Sequence, residues 1–155
     1  MNNLSELARG GTICLSKAGL VAGTTVTLSI AAPNGAGVDF AIGGKMYHKA
    51  DTANISITAA AAQAALRSCL YLVCLDKDGT LSTVKGTAVT TADIGVGSVL
   101  NWPEPAANTC PIGAFRIDTA TGYTFTAGTT NLSGATGMTY TWYDILLVPD
   151  APLTS

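Results

Sequence analysis

The sequence contains little charge. Only 12% of its 155 residues are charged, the net charge is −2 and the mean hydropathy is +0.36. Surfaces of freely soluble domains usually carry about 25–35% charged residues, so a surface this neutral predicts a protein that works inside an assembly. The eight basic residues are scattered, at Arg9, Lys17, Lys45, Lys49, Arg67, Lys77, Lys85 and Arg116. They form no basic stripe, and we expect no nucleic-acid partner.

Long apolar runs and an export signal are also missing. No segment reaches the roughly 18 uninterrupted apolar residues that suggest a membrane-spanning helix. The first residues, MNNLSELARGGTICLSK, lack the basic start, apolar run and cleavage site of a signal peptide. We therefore expect a protein without a membrane partner, made in a cytoplasm and not exported.

Residues that usually perform catalysis or bind metals are few. His48 is the single histidine, which excludes a metal centre built on several imidazoles. Asp39 or Asp51 could orient His48 in a catalytic triad, but no serine lies in a G-x-S-x-G context, so a solvated strand residue is favoured. Glu6 and Glu104 are the only glutamates, and no glycine-rich segment has the phosphate-binding pattern. We predict no enzyme, and no catalytic, cofactor-binding or metal-binding residues.

The four cysteines do not form a recognisable site. Cys69 and Cys74 stand at an odd separation on a predicted strand, so their side chains should leave opposite faces, roughly 17 Å apart along it. That separation is too large for a disulfide. Cys14 and Cys110 have no companion at metal-ligand spacing. The even count leaves disulfides possible and the redox state open, but buried free thiols are favoured.

Alternating apolar and polar residues, typical of strands, are abundant. Strands are predicted within residues 21–33, 38–50, 54–59, 69–75, 80–86, 113–119, 123–127 and 138–149. In the second of these ranges, Gly43 and Gly44 predict a tight hairpin turn. In the segment at 69–75 apolar residues point to both faces of the predicted strand, so we expect both faces to be buried. Beyond residue 86 the chain is irregular, with Trp102 held between Asn101 and Pro103.

These patterns predict an all-β fold. We expect an antiparallel β-sandwich or small, jelly-roll-like barrel with at most one or two short helices. Residues 26–155 form its single β domain, and residues 1–25 an N-terminal arm or short helix plus a lead-in strand. Residues 1–9 are the candidate for that helix. The alanine-rich residues 60–66 could equally be a short helix or an irregular connection, because alanine favours helix but the segment is too short to hold one alone.

The sequence DKDG, residues 76–79, resembles the start of a calcium loop. A helix-flanked calcium loop needs a bidentate glutamate at its twelfth position, which here is Thr87. Apolar strands also flank the segment. We therefore predict a turn in which Asp76 caps the bend and Gly79 takes the left-handed conformation.

Three aromatic residues near the C-terminus could line a carbohydrate groove. Tyr140, Trp142 and Tyr143 lie on one predicted strand. Because they fall on both of its faces, Tyr143 or the Tyr140/Trp142 pair should face the core. A core or subunit-interface role is therefore favoured.

Three segments resemble parts of small tailed-bacteriophage virion proteins. They are FAIGGKMYHKA (40–50), the alanine-rich stretch leading into CLYLVCLDKDGTLSTVKG (69–86), and PIGAFRIDTATGYTFTAGTTNL (111–132), and the similarity spans roughly residues 38–148. The resemblance implies a non-enzymatic structural protein with no catalytic residues to carry over. For a chain this short it implies a capsid decoration, or cement, protein.

A decoration protein would bind the major capsid protein on the outside of the virion head, usually as a homodimer or homotrimer. It would be made in the bacterial host cytoplasm, and residues 1–25 would be an arm that orders on the capsid or a neighbouring subunit. The alternatives are a tail-fibre, head-fibre or baseplate component, and a carbohydrate-binding module that contacts the host surface.

Overall fold

The computed structural model describes residues 11–154. Within that range 11 β-strands and one short 3₁₀ turn are present, and α-helix is absent. The strands are β1 (Ile13–Cys14), β2 (Leu20–Ala22), β3 (Thr27–Ile30), β4 (Val38–Ile42), β5 (Lys45–Lys49), β6 (Thr52–Ser56), β7 (Arg67–Asp76), β8 (Leu81–Lys85), β9 (Val89–Thr90), β10 (Thr109–Thr119) and β11 (Met138–Asp144). The predicted all-β fold is confirmed, and the arrangement is that of a β-sandwich.

The strands form three antiparallel sheets that pack together. The largest has the order β11-β10-β7-β8, with β9 paired to the start of β7. The other two have three strands each, in the orders β1-β4-β5 and β2-β3-β6. In the described range no helix has the length and apolar character needed to cross a membrane.

Strands β7 and β10 form the centre of the molecule and are buried on both faces. As predicted, Cys69 and Tyr71 face the main core, whereas Leu72 and Cys74 join a second cluster on the opposite face. The rings of Tyr71 and Phe115 stack at 5.0 Å across the pair of strands. The two small sheets cover one face of β7 and β10, and irregular segments cover the other. Both faces are therefore buried.

A bulge interrupts the pairing of β7 and β10. The register shifts between Pro111 and Gly113, because Pro111 has no amide hydrogen to donate to a ladder. Strand β10 starts at Thr109, four residues before the predicted start of 113. The proline obscured this extension of the strand in the sequence.

The alanine-rich segment is an irregular connection, held by Gln63. The Gln63 backbone N–H donates to the Phe125 carbonyl at 2.7 Å, and the Phe125 N–H donates to the Gln63 carbonyl at 3.1 Å. The buried side-chain Nε2 donates to the carbonyls of Arg67 and Ile117, and the hydroxyl of Tyr71 donates to Oε1. These bonds outweigh the helix propensity of alanine. The predicted strand at 123–127 is wrong, because only Phe125 makes a bridge there.

Other predicted elements agree with the structure to different degrees. Gly43 and Gly44 have φ of 54° and 78° and join β4 to β5 as expected. The strand expected within 21–33 is instead the hairpin of β2 and β3, closed by a bond from the Gly23 N–H to the Thr27 carbonyl. The last strand ends at Asp144 instead of continuing to 149.

Residues 11–25 lie within the β domain. Cys14, Ala18 and Leu20 are buried in the main core, and β1 pairs with β4. The part of the predicted arm that can be described is therefore packed against the other strands. The short helix predicted at residues 1–9 lies outside the described residues.

Candidate docking groove

A groove of about 680 Å³ lies on the described surface. Its two walls are residues 101–107, which precede β10, and residues 147–152, which follow β11. The lining residues are Thr12, Asn101, Trp102, Pro103, Glu104, Pro105, Ala106, Ala107, Thr109, Pro111, Leu147, Val148, Pro149, Asp150 and Pro152. Five of the six prolines of the chain thus line one groove.

Direct bonds hold the two walls together. Leu100 and Leu153 exchange backbone hydrogen bonds of 2.9 Å in both directions. The indole Nε1 of Trp102 donates to the carbonyl of Ala151 at 3.0 Å. The Trp102 ring also meets the ring of Tyr143 edge-on, with centroids 5.9 Å apart. Because proline has a fixed φ, these walls have few alternative conformations, and the groove is largely preformed.

The walls combine apolar and polar surface, and the charged residues of the described range that line the groove are acidic. Trp102, Leu147 and Val148 add apolar surface to that of the prolines. Glu104 and Asp150 are exposed, and no lysine, arginine or histidine of the described range lines the groove. Such a groove is suited to binding a chain or ligand through apolar contacts and one positive charge.

The groove was missed at the sequence level. The predicted sites were sought among histidine, cysteine and acidic clusters, and none of these marks the groove. The available signal was the concentration of prolines near Trp102 and again at Pro149 and Pro152. Both stretches have the pattern of irregular or strand-ending segments, and their positions in the sequence do not show that they lie side by side.

His48 and Asp39 are brought together as a surface pair. Nδ1 of His48 lies 2.8 Å from Oδ1 of Asp39, across the paired strands β4 and β5, and both side chains are about half exposed. The hydroxyl of Ser16 accepts from the Asp39 backbone N–H. Asp51 instead accepts from the N–H of Ala32. His48 is thus a solvated strand residue that pairs with a neighbour, as predicted.

All four cysteines are free and buried. Burial raises the pKa of Cys69 and of Cys74 to about 11, and that of Cys110 to about 12. Burial also raises the pKa of Cys14. These side chains are protonated thiols at neutral pH, and thiols are poor nucleophiles and metal ligands. Among residues 11–154, no group of three or more His, Cys, Asp or Glu side chains is placed to hold a metal ion.

The DKDG segment is a turn, as predicted. Oδ1 of Asp76 accepts from the N–H groups of Asp78 and Thr80, both at 2.8 Å, and Gly79 has a φ of 73°. The backbone hydrogen bond from Thr80 is the largest cause that lowers the pKa of Asp76. Oδ1 of Asp76 therefore closes the bend.

The three C-terminal aromatic residues do not form one patch. Tyr140 and Trp142 pack against the main core, with the Trp142 ring 5.2 Å from that of Phe115. Tyr143 lies on the opposite face, against Trp102. This division follows from strand alternation, as predicted, and it makes Trp102 the only aromatic ring in the lining of the groove.

Comparison of the chain with known protein families, with curated proteins and with solved structures finds no match.

Proposed function

We propose that this chain is a non-enzymatic structural protein of a tailed-bacteriophage virion, specifically a capsid decoration protein. It binds the outer face of the head as a homodimer or homotrimer and stabilises the lattice of the major capsid protein. The proposal combines the resemblance of residues 38–148 to such proteins with one structural observation. That observation is the preformed, apolar groove between residues 101–107 and 147–152.

The groove suits docking better than chemistry. Its lining contains no histidine or cysteine, and its two carboxylates are exposed to solvent. Large apolar side chains are also exposed on this weakly charged chain, namely Leu15, Val21, Met46, Leu66, Val96, Tyr123, Leu146 and Leu147. Leu147 lines the groove, and the backbone of the adjoining Leu146 is bonded to Cys14. Apolar surface of this kind is typical of a partner interface.

Cementing follows from mass action. A subunit that binds assembled capsid proteins, and binds them less well when the lattice opens, adds its binding free energy to the stability of the shell. Many copies on one head multiply the effect. The rigid β-sandwich supplies a scaffold that need not reorganise on binding, which limits the entropic cost.

A carbohydrate-binding role at the tail or head fibre is the second candidate. It is favoured by the presence of Trp102, Asn101 and Asp150 in one groove, since sugars are bound by an aromatic ring flanked by amide and carboxylate groups. It is less well supported, because the Trp102 ring is partly covered by Tyr143 and its Nε1 is engaged with Ala151.

Immunogold electron microscopy on intact particles of the phage that encodes the chain tests the proposal. Many gold labels spread over the head are the expected result, and antibody pre-absorbed with the purified chain is the control. Label confined to the tail would exclude cementing and favour the fibre alternative. Unlabelled particles would exclude the virion role.

A second measurement separates cementing from mere attachment. Heads purified without the chain are heated with and without added protein, and DNA release is followed with an intercalating dye. We expect release at a higher temperature when the protein is bound. An unchanged release temperature at full occupancy would exclude a stabilising role.

A further inference from the structure

The charges that line the groove favour a positively charged ligand, which the shape of the groove alone does not specify. Glu104 lies on one wall and Asp150 on the other, and both side chains are exposed. Among residues 11–154 no basic side chain lines the groove, so nothing in this part of the lining neutralises these two carboxylates. A partner that places a cation between the walls therefore meets negative charge from both sides.

A second, shallower depression of about 380 Å³ shows the contrast. It shares Trp102 and Glu104 with the groove but also includes Lys85. The Lys85 ammonium donates to the backbone carbonyls of Ala61 and Ala62, at 2.7 and 3.3 Å. This neighbouring depression thus contains charges of both signs, whereas the part of the groove formed by residues 11–154 contains only negative charges.

The other residues that line the groove favour apolar contacts with a ligand. Trp102, Leu147 and three prolines that are not buried, Pro105, Pro149 and Pro152, present apolar surface, and the groove volume falls within the range of about 300–1,000 Å³ typical of ligand clefts. The bonds between Leu100 and Leu153 and between Trp102 and Ala151 hold the walls in place before binding. Binding a chain therefore costs little conformational entropy in the groove.

We propose that the groove binds an extended, basic segment of a partner protein. An apolar side chain of that segment packs on Trp102 and the prolines, and an adjacent lysine or arginine pairs with Glu104 and Asp150. The source of this segment is an exposed loop of the major capsid protein. This one point rests on the proposed function. The chemistry of recognition stands on the groove itself.

A displayed library of random dodecapeptides, selected on the immobilised full chain, tests the preference directly. We expect enriched peptides to pair lysine or arginine with a neighbouring apolar residue. A selected peptide, labelled with fluorescein, is then titrated by fluorescence anisotropy. Enrichment of acidic or uncharged peptides, or no enrichment, would overturn the proposal.

Two sets of variants locate the binding. The double variant Glu104→Gln/Asp150→Asn should weaken the labelled peptide about tenfold, as expected for losing two exposed charge pairs. Trp102→Ala should weaken it by roughly thirtyfold or more, as for a central aromatic contact. Since Trp102→Ala can also destabilise the fold, the conclusion depends on the double variant, whose changed side chains are exposed.

The matched control removes the same charge elsewhere. Asp78→Asn/Asp93→Asn neutralises two exposed carboxylates outside the groove and should leave peptide affinity unchanged. An equal loss in this control would show attraction to net charge alone and overturn the proposal. So would glycan-array binding, or self-association seen by light scattering, that Trp102→Ala abolishes, because the occupant would then be a sugar or a second copy.

The outcomes separate this inference from the virion role. Selective binding of basic peptides without gold label on particles would keep the groove preference and reject the decoration protein. Gold label on heads without selection of basic peptides would support the decoration protein and reject the groove preference.

Discussion

The indole Nε1 of Trp102 donates a hydrogen bond to the backbone carbonyl of Ala151, 3.0 Å away and 49 positions along the chain. This one bond links the segment that precedes β10 to the segment that follows β11. It lies at the point where the second apolar cluster meets the groove, since Trp102 also contacts Tyr143 and packs on that cluster. Stability and the shape of the candidate site are therefore coupled through one side chain.

Replacing Trp102 with phenylalanine tests this coupling. Trp102→Phe keeps an aromatic ring against Tyr143 but leaves the Ala151 carbonyl without its donor, so we expect a loss of about 1 kcal/mol in the free energy of unfolding. Urea denaturation measures it. Tyr143→Phe, which keeps the ring that meets Trp102, is the control and should change stability by less. Equal losses in both variants would indicate that the hydrogen bond contributes nothing specific.

Gln63 should be among the most sensitive polar positions of the core. Gln63→Leu removes the hydrogen bonds that Gln63 makes with the carbonyls of Arg67 and Ile117 and with the hydroxyl of Tyr71, and we expect a loss of about 3 kcal/mol or more in the free energy of unfolding. Tyr71→Phe removes a single hydroxyl and should cost about 1 kcal/mol. Denaturation of both variants and the double variant gives the coupling energy. A Gln63→Leu variant as stable as the parent would contradict the network.

The cysteines predict both a reactivity and a pH dependence. Being buried, they should react with a chromogenic disulfide reagent only after unfolding. Folding raises the pKa of Cys69 and Cys74 from 9.0 to about 11. Below pH 9 both states keep these protons. Above it the unfolded chain loses them first, so stability should fall as the pH rises towards 11.

Cys74→Ala checks the origin of that pH dependence. The variant should lose stability less steeply with pH than the parent, because one of the buried thiols no longer titrates. Denaturation midpoints between pH 8 and pH 11 supply the comparison. Rapid labelling of the folded parent at neutral pH would contradict the burial of the thiols.

Leu66 offers a route to higher stability. It has a φ of 57° and is 51% exposed, a left-handed conformation that is unfavourable for a leucine by about 1–2 kcal/mol. Leu66→Asn places a residue that tolerates this conformation, and we expect a gain of roughly 1 kcal/mol in thermal or urea denaturation. Leu15→Asn, at a similarly exposed position, is the control for lost apolar surface. A gain in both variants would point to solubility instead of backbone strain.

Local pattern predicted most of the strands because their periodicity survives in three dimensions. The alternation of Cys69 through Leu75 assigned each side chain to its correct face, and Gly43-Gly44 and Asp76–Gly79 marked real turns. These features depend on nearest neighbours along the chain. The sequence therefore contains the information directly.

Long-range contacts explain what the sequence did not reveal. The alanine-rich segment is kept from forming a helix by bonds of Gln63 to residues as far away as Ile117 and Phe125. The groove likewise depends on the meeting of Leu100 with Leu153. Pro149 predicted an end of the last strand five residues beyond its actual end at Asp144, and sequence alone could not show which other proline-rich segment it would face.

The prolines of the groove also affect how the protein behaves when concentrated. A proline cannot donate a backbone hydrogen bond, so walls containing Pro103, Pro105, Pro149 and Pro152 are a poor template for adding a further strand. Apolar surface can therefore remain exposed at this face without starting the edge-to-edge pairing that leads to fibrils. For a chain rich in strands and poor in charge, this disfavours aggregation through the exposed face of the groove.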